Sequence, residues 1–333
     1  MKQSNSIITI PQQAKFSSVT KENSIFIADE NVYNLYPKHF KKSNTIVIDA
    51  GEQFKNQHTV DTIIQQLIKL KANRQTTLVG IGGGVVTDIT GYVASVFMRG
   101  INAGFVPTTL LALVDASIGG KNGVDVGVYK NIVGTIRQPE FILQDVSFLK
   151  TLPQNEWQNG FAEIIKHACI KDAAMFKKLQ QNSISFYQKN IKELSLLIKE
   201  NAAIKIKIVV KDVAEKGDRK LLNFGHTLGH ALENQYQLSH GEAISIGMMF
   251  ACKLSEGLLG FTQTQQVVEM LQQYGLPTNF KFDTQNTFNI LTMDKKRTRN
   301  NIHFILLEKI GKAKIVEIGL NDLNKMLAAF TNS

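Results

Sequence analysis

The spacing of apolar and polar positions changes near residue 155. Before it, short β-branched runs recur at SIFIAD (24–29), TIVIDA (45–50), TTLVGIG (76–82) and AGFVPTT (103–109). Stretches with apolar positions three and four apart lie between them, such as NQHTVDTIIQQLIKLKAN (56–73). Alternation of this kind predicts a parallel sheet with helices on its faces. After TLPQNEW (151–157) the helical period takes over, in GFAEIIKHACIKDAAMFKKLQQN, IKELSLLIKENAAIKIKIVVKDVAEKG, TLGHALENQYQ, AISIGMMFACKLSEGLLG and TQQVVEMLQQYG. A late apolar run, NIHFILLEKIG (301–311), reads as a strand or hairpin. The expected organisation is an α/β domain with a Rossmann-like parallel sheet over 1–155 and a mainly helical domain over 156–333. No repeat or low-complexity segment interrupts it.

Composition narrows the classes. Hydrophobic residues at 43% and charged residues at 20% suit a folded soluble protein. Cys169 and Cys252 are too few for a disulfide framework, which predicts a reducing, cytoplasmic location. The start, MKQSNSIITIPQQAKF, has no apolar signal-peptide core, and no apolar run reaches the roughly 18 to 20 residues that span a bilayer. The formal net charge of +10 raises nucleic acid, membrane surfaces and acidic small molecules as partners. The lysines are scattered rather than gathered in one dense run. That favours a solvated surface with an anionic small-molecule substrate, and neither nucleic acid nor membrane.

LVGIGGGVVTDITGYVA (78–94) is a strand, a glycine cluster and a helix start, where backbone N–H groups can approach a phosphate. The G-x-G-x-x-G fingerprint is not met: Gly80 and Gly82 fit, but Val85 holds the third position. The acidic residue expected about 20 positions later is also missing. A ribose partner can come instead from DAGEQFKN (49–56), with Glu52 and Lys55. A second loop, PTTLLALVDASIGGKNGVDVGVYKN (107–131), carries Thr108, Thr109, Asp115, Lys121, Lys130 and Asn131, which suits a cofactor or phosphate cleft. The bland alternatives are a tight turn without ligand and a mobile loop with solvated lysines.

Three of the seven histidines fall in NFGHTLGHALENQYQLSHGEA (223–243). RKLLNFGHTLGHALE (219–233) predicts one helix, with Asn223 as its cap and His226 and His230 on one face. SHGEA supplies His240 at a helix start, and NGFAEIIKHACI supplies Glu163. A catalytic zinc site takes three protein ligands and keeps one position open. Two or three of Glu163, His226, His230 and His240 are therefore candidate ligands, although Thr227 stands where H-E-x-x-H requires Glu. The competing reading is histidines that cap helices and bond backbone. Lys205, Glu215, Arg219 and Asn223 recur along KIKIVVKDVAEKGDRKLLN, for which a salt-bridged, solvated helix is the default explanation.

The ordered set GGGVVTD, VPTTLLALVDASIGGKNGVD, GFAEIIKHACI, GDRKLLNFGHTLGHALE and SHGEAISIGM resembles the 3-dehydroquinate synthase family, from about residue 24 to 312. The resemblance implies an N-terminal nucleotide-binding domain and a helical metal-binding domain with the active site between them. It implies NAD, a divalent metal (zinc, with cobalt as an alternative) and a homodimer. It implies conversion of 3-deoxy-D-arabino-heptulosonate 7-phosphate to 3-dehydroquinate and phosphate, by transient oxidation, phosphate β-elimination, reduction and aldol closure. Carried over by position, it gives the metal to Glu163, His226 and His240. Substrate and catalysis fall to Arg99, Asp115, Lys121, Asn131, Lys166, Lys205, Glu215, Arg219, Asn223, His230 and Lys296 (or Lys295). The cofactor falls to Asp29, Asn31, Glu52, Lys55, Gly83, Gly84, Val85, Asp88, Thr108, Thr109, Leu111, Asp115, the pair Ala116 and Ser117, Lys121, Lys130, Phe148, Thr151, Leu152 and Glu156. A substrate with a carboxylate and a phosphate also accounts for many cations near the motifs. Two positions depart from the pattern: Tyr129 where glycine is common, and Asn122 where threonine is frequent. The alternatives are another sugar-phosphate cyclase (a 2-deoxy-scyllo-inosose or 2-epi-5-epi-valiolone synthase), a metal-dependent polyol dehydrogenase, and a non-catalytic basic binding protein. The spacing of Lys205, Glu215, Arg219 and Asn223 fits the dehydroquinate branch.

Overall fold

The computed structural model describes residues 9–19, 23–127, 129–293, 297–298 and 300–331. The chain divides into two compact units, 1–153 with 198–214, and 154–197 with 215–333. The sequence expectation was a single cut near 155. The structure differs from it because the chain returns to the first unit at 198.

In the first unit, β1 (Ser24–Asp29), α1 (Glu30–Leu35), β2 (Thr45–Ile48), α2 (Gln57–Lys69), β3 (Thr77–Gly82), α3 (Gly84–Val96) and β4 (Asn102–Pro107) alternate along the chain. A two-stranded hairpin follows, β5 (Lys121–Val126) and β6 (Tyr129–Ile136), then the short β7 (Phe141–Ile142). The sheet order is β2-β1-β3-β4-β7, and every pair is parallel. All six residues of β3 are buried, as expected for a strand covered on both faces. The core joins Ile27, Ile46, Leu78 and Ile89 with Ile63 and Leu67 of α2. The order 2-1-3-4 reverses direction between β1 and β3. In open parallel sheets that reversal opens a crevice at the carboxyl ends of the strands.

The second unit contains α4 (Gln154–Lys171), α5 (Ala173–Gln180), α6 (Ile184–Lys189) and the start of α7 (Ile191–Lys211). It continues through α8 (His226–Tyr236), α9 (His240–Leu259), α10 (Thr264–Gln273) and α11 (Thr284–Met293). The strands β8 (Arg297–Thr298), β9 (Asn301–Lys309) and β10 (Lys312–Gly319) form an antiparallel sheet, and α12 (Leu320–Thr331) closes the chain. The late apolar run is therefore the first arm of a hairpin that turns at Gly311, whose φ is +85°. Helix α4 is buried along almost its whole length from Trp157 to Ile170, and Phe161 packs on Tyr187 and Tyr274 with ring centroids 5.5 and 4.6 Å apart. Among the described residues, no helix is long and apolar enough to cross a membrane.

The second part of α7 explains the split domain. Ile198, Asn201, Ala202, Lys205, Ile208 and Val209 are buried at helical spacing, and Ala202 joins the core of the parallel-sheet unit. The solvated, salt-bridged helix expected over 205–223 is overturned. Helix α7 ends at Lys211, and Lys205 and Arg219 are buried.

Candidate metal and cofactor sites

The metal candidates come from three helices of the second unit. Glu163 sits in the middle of buried α4 and is fully buried itself. His226 is the first residue of α8 and His240 the first residue of α9. The helix expected to be capped by Asn223 is capped two residues later, by Gly225. Asp218–Asn223 is a 3-10 turn, and Gly225 caps α8 with φ +80°. The Asn223 side chain is used elsewhere, donating to Glu215 Oε1 at 2.7 Å. Helix α9 is capped by Ser239, which forms a reciprocal capping box with Glu242 and so sets where His240 stands.

Two glycines let α8 and α9 touch. A Cβ on Gly225 would lie 2.7 Å from the Ile244 carbonyl oxygen, and one on Gly247 would lie 1.8 Å from the Gly225 carbonyl oxygen. This backbone contact brings the His226 and His240 rings to 5.7 Å. On the other side, the Asn159 side chain of α4 accepts from the Gly241 amide at 2.8 Å, tying the start of α9 to the helix that carries Glu163.

The donor atoms converge. His226 Nε2 is 3.5 Å and His240 Nε2 is 3.1 Å from Glu163 Oε1, and one ligand atom from each residue lies within 4.8 Å of the others. Each ring turns its other nitrogen to an acceptor: His226 Nδ1 is 3.2 Å from the Phe224 carbonyl oxygen, and His240 Nδ1 is 3.7 Å from Glu233 Oε1. Two Nε2 atoms and a buried carboxylate oxygen suit a tetrahedral divalent site with a position left open. Burial alone would lower the His240 imidazole, but Glu163 and Glu233 raise it to about 10. The buried Lys166 ammonium, also on α4, contacts the other Glu163 oxygen. His230 is outside the three-donor cluster, one turn along from His226 with ring centroids 5.0 Å apart.

In the first unit the cofactor expectations gather at the carboxyl ends of the parallel strands. Asp29 ends β1, caps α1 by accepting from the Val32 amide at 2.9 Å, and burial pushes its carboxyl up. Asn31 follows in α1. Glu52 and Lys55 follow β2, and Gly83, Gly84 and Val85 follow β3. Thr108, Thr109, Leu111 and the turn Ala112–Ala116 follow β4; that turn is a π-helical one holding Asp115, and Ser117 closes it by donating to Ala112 O at 2.7 Å. Gly83 caps α3 without a side chain, and no acid occupies the first turn, so the amides there are open to an anion. Gly80 and Gly82, which fit the fingerprint in sequence, instead admit Thr90 and Val86 of α3, 2.6 and 2.4 Å from where a Cβ would be.

Buried charges hold this region together. Lys55 Nζ is 2.6 Å from Asp88 Oδ2. Burial alone would lower the Lys55 ammonium, but the Asp88 and Glu52 carboxylates outweigh it and hold it above its usual value. Lys205 Nζ is 2.8 Å from Asp115 Oδ1 and 2.5 Å from the Asp115 carbonyl oxygen. Lys130 reaches Glu52 at 3.6 Å. Asp125, which sequence reasoning passed over, accepts from the Asn131 amide at 2.6 Å and donates its own amide to the Lys55 carbonyl at 2.8 Å. Phe148 is buried, its carbonyl accepts from Tyr36 Oη at 3.0 Å, and the same hydroxyl meets Thr151 Oγ1 at 2.7 Å. Leu152 follows Thr151, and Lys121 opens β5 on the surface. Glu156 falls in the second unit, accepting from Asn159 at 3.2 Å. Lys295 and Lys296 lie outside the described residues.

Backbone strain falls on the same set. Six described non-glycine residues have positive φ, and Arg99 (68°), Asn131 (51°) and Glu215 (56°) are three of them. Such outliers persist where the surroundings over-determine them and cluster at functional sites. Of the two departures, Asn122 is absorbed: its amide donates to the Gly120 and Arg137 carbonyls at 2.9 and 3.0 Å, which a threonine hydroxyl could not do with its single proton. Tyr129 is exposed at the start of β6.

Sequence reasoning also missed Glu233. The signal was present: 226, 230 and 233 lie four and seven apart, on one helical face.

Residues 45–159 match the family signature "3-dehydroquinate synthase N-terminal" and residues 160–297 match "3-dehydroquinate synthase C-terminal". The chain is 43% identical over 280 residues to a 3-dehydroquinate synthase of Pyrococcus furiosus, covering 83% of this chain and 82% of that protein. Among solved structures, a 2-epi-5-epi-valiolone synthase from Streptomyces hygroscopicus with NAD+ and Zn2+ bound superposes with a TM-score of 0.88 at 25% identity, over 97% of this chain and 96% of that one. A 2-deoxy-scyllo-inosose synthase complexed with carbaglucose-6-phosphate, NAD+ and Co2+ gives a TM-score of 0.83 at 26% identity, over 94% and 93%. Both halves of the chain carry the signature in order, and the chain belongs to the 3-dehydroquinate synthase family.

Proposed function

We propose that this chain, a phosphate-eliminating lyase, converts 3-deoxy-D-arabino-heptulosonate 7-phosphate to 3-dehydroquinate and phosphate. The observation that carries the reading is the convergence of Glu163, His226 and His240 in a chain whose parallel sheet gathers its open helix start and paired charges at the strand ends. Bound NAD supplies a hydride acceptor that is regenerated within the cycle, and a bound divalent cation, zinc or cobalt, supplies Lewis acidity toward adjacent hydroxyls.

The chain's own residues then do the binding and orienting. Glu163, His226 and His240 hold the cation. Gly83, Gly84, Val85, Thr108 and Thr109 take the cofactor's phosphates through backbone and hydroxyl groups. Glu52, with Lys130 against it, takes a ribose hydroxyl. Arg99, Lys121, Lys166, Lys205 and Arg219 meet the substrate's carboxylate and phosphate, and Asn131, Asn223 and Lys296 add further contacts. Asp115 and Glu215 orient two of these, Lys205 and Asn223, by direct bonds. His230 moves a proton on its ring nitrogen next to the cation site. Two copies pair as a homodimer in the cytoplasm; Tyr129, Ile132, Val133 and Ile136 leave β6 with an exposed apolar surface for that contact.

The test is phosphate release from the heptulosonate phosphate by protein loaded with NAD and zinc. Stoichiometric release with no net NADH is expected, abolished by chelator and restored by zinc or cobalt. Steady NADH accumulation would instead mark a polyol dehydrogenase. Turnover of glucose 6-phosphate or sedoheptulose 7-phosphate in its place would mark one of the other cyclases.

A further inference from the structure

Helix α8 carries His226, His230 and Glu233 on one face, and the proposed reaction gives roles to the two histidines alone. Glu233 is nearly buried, its side chain 9% exposed, and its Oε1 lies 3.7 Å from Nδ1 of His240, a residue of a different helix. The opposite nitrogen of that ring faces Glu163. His240 therefore lies between two carboxylates, Glu163 at hydrogen-bond distance from Nε2 and Glu233 at ion-pair distance from Nδ1. His226 shows the same arrangement with a backbone acceptor, the Phe224 carbonyl, at Nδ1.

A neutral imidazole has one N–H, and an acceptor at Nδ1 keeps it there, which leaves the Nε2 lone pair free to ligate. A carboxylate does this more strongly than a carbonyl and also makes the ring a better donor. His240 needs that support more than His226 does. Its ring is more open, with 26% of the side chain exposed against 11%, and it stands at the first position of its helix.

We propose that Glu233 is the positioning residue for His240, fixing its tautomer and ring plane for the cation site. The proposal rests on reading Glu163, His226 and His240 as metal ligands. The experiment measures zinc affinity of full-length, metal-stripped protein by competition with a chromophoric chelator, together with the visible spectrum of the cobalt form. Wild type is compared with Glu233→Ala, Glu233→Gln and His240→Ala. Glu233→Ala is expected to weaken zinc binding about 10- to 100-fold and to shift the cobalt bands, with the metal-free melting temperature near that of wild type. Glu233→Gln, which keeps an acceptor oxygen but no charge, is expected to lose about 3- to 10-fold.

Zinc affinity of Glu233→Ala within two-fold of wild type, while His240→Ala loses the metal, overturns the proposal. Were Glu233→Ala not to fold, an unchanged affinity in Glu233→Gln would overturn it alone. Wild-type affinity in His240→Ala would refute the ligand reading itself, whatever Glu233 does.

Discussion

At the scale of single residues, spacing in the sequence offers more candidates than chemistry needs, and distance sorts them. His226 and His230 are equivalent by spacing, yet only His226 joins Glu163 and His240. His230→Ala is therefore expected to keep its metal while activity falls by about 10²- to 10⁴-fold, the range of a lost proton-transfer group. His226→Ala and Glu163→Gln are expected to lose the metal as well, and metal analysis of the purified variants separates the two outcomes. Lys55 makes a different case. Its ammonium is buried against Asp88, and removing one member leaves the other charge unmatched. Lys55→Met is expected to cost about 3–5 kcal/mol in urea unfolding, beyond any effect on NAD binding. The Lys55 pairing could not be read from spacing, because Lys55 lies in a loop and its partner stands 33 positions on, in α3.

At the scale of elements, strands and helices were legible wherever burial follows a regular period. The first four of the five parallel strands and the long helices match the apolar runs to within a few residues, while the two-residue β7 has no run of its own. The start of α8 was not legible, since RKLLNFGHTLGHALE keeps a helical look through a 3-10 turn and a left-handed glycine. What places that break is contact with α9, which demands a residue without a Cβ at 225 and 247. Gly247→Ala is expected to push α8 from α9, costing about 1–3 kcal/mol or more in thermal or urea unfolding and lowering zinc affinity along with it. Ser239→Ala removes the cap of α9 and is expected to cost about 1 kcal/mol by the same measurement.

At the scale of the whole molecule, the return of 198–214 to the first unit limits where the chain can be divided. A fragment ending at 155 lacks Ala202 from the core and Lys205 from Asp115. It is expected to be poorly packed, with weak near-ultraviolet circular dichroism, and to gain structure when 198–214 is added back. The amino-acid sequence alone determined the alternation that makes a parallel sheet, the helical second half, the candidate ligands and the family resemblance, because each is written in local period or in ordered motifs. Tertiary structure alone decided which histidine leaves the cluster, that Glu233 stands behind His240, that Asp125 holds the Asn131 turn, and that α7 is shared. These depend on which side chains meet across elements far apart in the chain, and such meetings leave no period to read.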